Sequence, residues 1–175
     1  MRYIFIIMVL LFSACKTSDT ESFISKINNA SDLISDDCSK GNKCTVELLR
    51  NKDYTIIKDS MDKIYPEIVD GDNIVVKYTY EIGNPDNYAD GNQSETIHFV
   101  IHKNTNNELK DEGLKDIKLL FGKNCFCRDI QGFYEVDKGS FKLKSSKNKT
   151  EIDLELTIPK LGERQFVKKI HFTLE

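Results

Sequence analysis

The feature that most narrows the fold is a period of two in the apolar residues, which begins at Thr45 and returns after each polar break up to the C-terminus. Between residues 73 and 83, Ile74, Val76, Tyr78, Tyr80 and Ile82 share one side while Lys77, Thr79 and Glu81 share the other. That alternation is the signature of an antiparallel strand with one face buried and one solvated. Similar stretches at 45–50, 54–58, 63–69 and 96–103 are expected to be strands, with Asp70-Gly71-Asp72 as a turn and Pro66 marking an edge or irregular segment. After Cys127 the pattern becomes a meander. Its inward positions are Tyr134 and Val136, then Phe141 and Leu143, then Ile152, Leu154, Leu156 and Ile158, then Phe166, Ile170, Phe172 and Leu174. Between the two halves, Leu114, Ile117, Leu120 and Phe121 fit one helical face with Gly122 as its C′ residue, so a short helix is expected there. About nine short strands predict a mainly β fold, an antiparallel β-sandwich, with a calycin-like β-barrel as the alternative.

The N-terminus obeys a different rule. Arg2 precedes ten apolar residues, Tyr3 to Phe12, too few to cross a bilayer as a helix, and the small residues Ser13 and Ala14 follow. The run Leu11-Phe12-Ser13-Ala14-Cys15 resembles the lipobox of bacterial lipoproteins, although Phe12 stands at minus three where leucine is usual. The resemblance covers the leader alone. It implies cleavage before Cys15, diacylation of its sulfur, and acylation of the new N-terminus. Two or more acyl chains give a lasting membrane anchor where one chain gives only marginal binding. The expected organisation is a lipoprotein signal peptide at 1–14, a lipidated tether at 15–21 and a single β-rich domain at 22–175. Lys16 after the modified cysteine resembles lipoproteins sent to the outer membrane, and Asp19 and Glu21 in the tether resemble surface-export signals of Bacteroidetes lipoproteins. The resemblance therefore implies a lipid-anchored protein of the cell envelope, on the periplasmic or the surface face of the outer membrane. Ser18-x-x-Glu21 has the form of a capping box, and Phe23, Ile24, Ile27, Ala30, Leu33 and Ile34 follow at helical spacing. A short N-terminal helix is expected there, laid on the domain.

Charge narrows the partners. The chain has 25 basic and 28 acidic residues, and losing Arg2 with the leader moves the net charge from −3 to −4. Both signs are interspersed, which argues against nucleic-acid binding. With Cys15 assigned to lipid, Cys38, Cys44, Cys125 and Cys127 remain, an even number that favours two disulfides in an exported chain. On an extended strand, residues i and i+2 lie roughly 6.5 to 7 Å apart, at the limit for a disulfide. The expectation is therefore two long-range bridges from the Cys38/Cys44 segment to the Cys125/Cys127 strand.

Catalytic chemistry is not legible. His98 and His102 face outward from one strand but lie about 13 Å apart, too far to share a metal ion, and a surface role is expected for both. The 86–97 loop fails the EF-hand pattern, with Tyr88 at position three and Ile97 at position twelve. An irregular cation site using Asp86, Asp90 and Glu95 is the weaker alternative to a solvated loop. The leading expectation is a non-enzymatic envelope lipoprotein whose β-domain binds or scaffolds, with no cofactor and an unidentified protein or small-molecule partner. A second is a carrier of a small apolar ligand in a calycin-like cavity lined by Tyr78, Tyr80, Phe99 and Phe172. A third is a thiol-disulfide enzyme using Cys125 and Cys127.

Overall fold

The computed structural model describes residues 38–39, 41–83, 91–102, 105, 108–146 and 149–174. The expected signal peptide, Cys15, the tether and the N-terminal helix lie outside these residues, as do Asp86 and Asp90.

The alternating stretches become strands β1 (Lys43–Lys58), β2 (Ile64–Ile82), β3 (Gln93–Ile101), β4 (Glu108–Lys110) and β5 (Leu120–Asn124). They continue as β6 (Gly132–Glu135), β7 (Gly139–Ser145), β8 (Thr150–Leu156) and β9 (Lys169–Leu174). They form two antiparallel sheets, one ordered β1-β2-β3-β5-β6 and the other β4-β7-β8-β9. The main core lies between them. One sheet contributes Val46, Val76, Tyr78, Ile97, Phe99 and Phe121, and the other Phe141, Ile152, Leu154, Ile170 and Phe172. Phe99 meets Phe141 edge to face across the gap, with ring centroids 5.6 Å apart. Burial of each such side chain contributes about 1.5–3 kcal/mol, so the inward half of the period-two pattern is the main source of stability.

This is a β-sandwich, and the calycin-like alternative is corrected. The two sheets stay separate and do not close into a barrel. Tyr78, Phe99 and Phe172, expected to line a cavity, are instead packed into the shared core, with Tyr80 partly buried against it. The carrier reading loses the barrel on which it rested.

The first four expected strands fuse into two long ones. Between the pairs Arg50/Ile74 and Lys52/Asp70, β1 supplies only Asn51 while β2 supplies Gly71, Asp72 and Asn73. Gly71-Asp72-Asn73 is therefore a bulge inside a continuous strand, the turn expected at Asp70-Gly71-Asp72 does not form, and Asn51 takes a left-handed φ of 54° opposite the bulge. Bulges raise local twist and bend a hairpin, and here the distal ribbon, residues 52–70, is bent across the outer face of the five-stranded sheet. Tyr54, Val75, Val100 and Leu120 form a second apolar cluster beneath it, with Leu49, Ile56, Ile64 and Phe133 packed around. Pro66 pairs with Ile56 in the stretch of β2 that has β1 as its sole partner, consistent with its exclusion from sheet interiors. Asp59 closes the hairpin by accepting from the backbone N–H groups of Met61 and Lys63 at 2.8 and 2.9 Å.

Two local expectations change. The helix expected over 109–121 is only a 3-10 helix, Asp111–Ile117, ended by Lys118 in the left-handed region at φ 51°. Gly122 is not its cap but lies within β5, where a Cβ would stand 2.5 Å from the Thr96 hydroxyl and 2.6 Å from the Phe133 ring. Phe166, expected inward, is 51% exposed because β9 begins only at Lys169. Val167 takes the buried position instead.

Candidate functional site

Four features outside the apolar core bear on function, and three of them hold the fold together. The first is an ion pair that the sequence reading missed. Lys123 Nζ donates to Glu95 Oε1 at 2.8 Å, with side chains 2% and 0% exposed. Glu95 also accepts from the backbone N–H groups of Phe166 and Val167, at 3.0 and 2.7 Å. Lys123 donates to the Arg164 carbonyl at 2.9 Å and lies 4.0 Å from the centre of the Phe166 ring. Glu95 and Lys123 thus tie the loop before β9 to the opposite sheet. This also explains the exposure of Phe166, whose backbone is held by the carboxylate. Strand parity carried the missing signal: Glu95 is in phase with the inward Ile97 and Phe99, and Lys123 with the inward Phe121. Glu95 is committed to this pair and does not belong to a solvated cation loop. Among the described residues no group of three or more His, Cys, Asp or Glu converges on a metal position.

The second feature is the clamp that fastens the bent ribbon. Asp53 Oδ1 accepts from Lys118 Nζ at 2.7 Å and from the Tyr54 N–H at 2.7 Å, and Oδ2 accepts from Asn73 at 2.9 Å. Burial alone would raise the Asp53 pKa, but these hydrogen bonds, led by Lys118, hold it below the usual carboxylate value. The Tyr54 hydroxyl donates to the Lys118 carbonyl and also contacts the His98 carbonyl. Burial pushes the Tyr54 phenol pKa well up, so it stays a neutral donor.

His98 lies under this ribbon. It faces outward from β3, as the alternation requires, yet it is 6% exposed because Tyr54 and Phe133 meet its ring edge-on, at 6.3 and 6.0 Å. The surface role expected for it is corrected: a face that is outward in its own strand is covered by a segment distant in sequence. Its Nδ1 is buried without a hydrogen-bond partner. Burial, reinforced by Lys77 and opposed by Glu47, lowers its pKa to about 4. The other two histidines are not so enclosed. His102 is half-buried, and His171 Nδ1 lies 2.7 Å from Asp153 on the second sheet.

The structure places the cysteines in local pairs, Cys38 beside Cys44 and Cys125 beside Cys127, with Cα separations of 5.7 and 5.2 Å, where the sequence pointed to long-range bridges. Two departures from extended geometry account for this. Gly41, at φ 84°, turns the chain back so that the Asn42 N–H reaches the Ser39 carbonyl. Residues 125 and 126 form a bend after β5, which draws the second pair closer than a strand would. Phe126, between the cysteines, is 85% exposed.

The fourth feature is a polar groove of about 380 Å³, lined by Glu81, Ile82, Asn92, Gln93, Ser94 and Asn124. It forms where β2 ends, β3 begins and β5 ends. Glu81, Ser94 and Asn124 are cross-strand neighbours in register, so three polar side chains stand in one row on the outer face. The sequence reading passed over them because none breaks the alternation and each reads as an ordinary solvated residue. Lys43 approaches Glu81 at 3.7 Å from the adjacent strand.

Comparison with known proteins finds no matching family model, no matching curated protein and no matching solved structure. The class that the chain displays is the antiparallel β-sandwich. Among the described residues no helix is long and apolar enough to cross a membrane.

Proposed function

We propose that the chain is a non-enzymatic lipoprotein of the cell envelope, held at the outer membrane through acylated Cys15, with its β-sandwich serving as a binding module. The observation that carries this reading is the leader ending Leu11-Phe12-Ser13-Ala14-Cys15, joined through a polar tether to a β-sandwich. Two features support a binding role over a catalytic one. The buried ionic groups Glu95 and Lys123 are committed to joining the sheets, and the groove is lined by amides, a hydroxyl and the Glu81 carboxylate, groups suited to hydrogen-bonding a ligand. The net charge of −4 after loss of the leader gives no electrostatic attraction to anionic lipid, so membrane attachment depends on acylation. Fractionation of cells expressing wild type or Cys15→Ser tests the reading. The wild type is expected in the membrane fraction and the variant in the soluble fraction; equal membrane recovery of both would overturn it.

A second reading draws on the Cys125–Cys127 bridge. It closes a very short loop at a surface bend, and small loops gain little entropic protection against reduction. A thiol-disulfide role requires that this bridge exchange with an added dithiol while Cys38–Cys44 stays intact. Equal resistance of both bridges to a graded glutathione redox series removes it.

A further inference from the structure

The groove at the end of the five-stranded sheet has a chemical character that specifies its ligand class. Among the described residues its polar lining consists of three primary amides, Asn92, Gln93 and Asn124, the Ser94 hydroxyl and the Glu81 carboxylate, with Ile82 as the apolar member. Each amide offers a donor and an acceptor on one rigid plane, and a serine hydroxyl does both. Such a set matches a ligand whose own groups donate and accept at once, as alcohol hydroxyls do. It does not match an anion, because no cation is among the described side chains that line it, and Lys43 nearby is already drawn to Glu81.

Spacing adds to this. Glu81, Ser94 and Asn124 stand on three adjacent strands, each about 4.8 Å from the next, a distance comparable to the width of a sugar ring. The groove's volume of about 380 Å³ falls within the range of roughly 300–1,000 Å³ typical of small-ligand clefts. Phe126, two residues after Asn124 in the chain, is 85% exposed, so its ring is open to solvent. Exposed aromatic faces suit a ligand with hydroxyls on its rim and C–H groups on its face.

We infer that this groove binds a neutral saccharide, with the Glu81, Ser94 and Asn124 row contacting the hydroxyl rim and Phe126 stacking on a ring face. The inference deepens the proposed binding role and rests on it. It is tested with the full chain, purified in a detergent that has no sugar headgroup, by saturation-transfer NMR with maltose, cellobiose and di-N-acetylchitobiose. At least one disaccharide is expected to receive saturation, with binding about tenfold weaker in Asn124→Ala and in Phe126→Ala, the loss of one hydrogen bond or one stacking contact. Both side chains are exposed, so circular dichroism and thermal melting should be unchanged in the variants. No transfer to any of the three, or transfer equally strong in both variants, overturns the inference. Cys15→Ser leaves the groove intact, so it separates the two proposals: membrane retention without saccharide binding refutes the ligand assignment alone, and the converse refutes the anchor alone.

Discussion

Acidification should loosen the ribbon through His98. The side chain is 6% exposed, Tyr54 and Phe133 pack on its ring, and its Nδ1 has no partner to share a proton. The charged groups that face it are Lys77, which opposes protonation, and Glu47, which partly offsets it. The folded-state pKa is about 4 against 6.5 for a free imidazole, so the folded chain binds fewer protons than the unfolded one between these values. Stability is therefore fully present above pH 6.5 and falls as the pH drops towards 4, reaching a plateau below that. At about 1.36 kcal/mol per pH unit, the gap amounts to a loss of about 3 kcal/mol, of which about 2 should be gone by pH 5. His98→Phe keeps an aromatic ring in the site and removes the proton acceptor. Urea unfolding of both proteins at several pH values between 7.5 and 4 isolates the effect, since all other titrating groups cancel in the difference. The variant should match or exceed the wild type at pH 7, where it also removes an unsatisfied nitrogen, and should gain about 2 kcal/mol on it by pH 5. A difference that stays constant across that range would refute the argument that burial under the ribbon sets the His98 proton affinity.

Other predictions follow from the packing. Lys123→Ala leaves Glu95 charged and buried, and should cost about 3–5 kcal/mol in urea unfolding, whereas loss of the exposed Lys169–Glu155 pair should cost under about 1. Leu154→Asp places an unpaired carboxylate at a fully buried position and should lower the melting temperature far more than Asp153→Leu, whose site is half exposed beside His171; similar melting points would mean the β8 register is wrong. Non-reducing peptide mapping should recover Cys38 linked to Cys44 and Cys125 linked to Cys127; any peptide joining the two segments would contradict the local pairing. Because the Cys38–Cys44 loop spans seven residues, removing that bridge should cost at most about 2.4 kcal/mol in the loop-entropy picture.

Much of the sandwich was legible because its strands alternate cleanly. From Ile152 to Ile158 each second residue is apolar, and Ile152, Leu154, Leu156 and Ile158 are all buried. The long hairpin was not legible, since a bulge and a turn draw on the same residue types: Asp70-Gly71-Asp72 suits either, and only the pairing on either side of Asn51 decides. The ribbon's bend then determines the environment of His98, which local sequence does not record, because Tyr54 reads as any alternating strand residue. Glu95 and Lys123 were missed for a different reason. Their charge pointed to solvent while their strand phase pointed inward, and phase prevailed because each charge found its partner across the sheet. The groove was invisible to periodicity, since it is made from the ends of three strands rather than from the pattern within any one.

Mass spectrometry of the mature N-terminal peptide tests the central claim most directly. The account predicts a peptide that begins at Cys15 and carries a diacylglyceryl mass on its sulfur, absent in Cys15→Ser. A peptide that begins at Met1, or one that begins at Cys15 without acyl mass, would contradict the lipid anchor and the envelope function built on it.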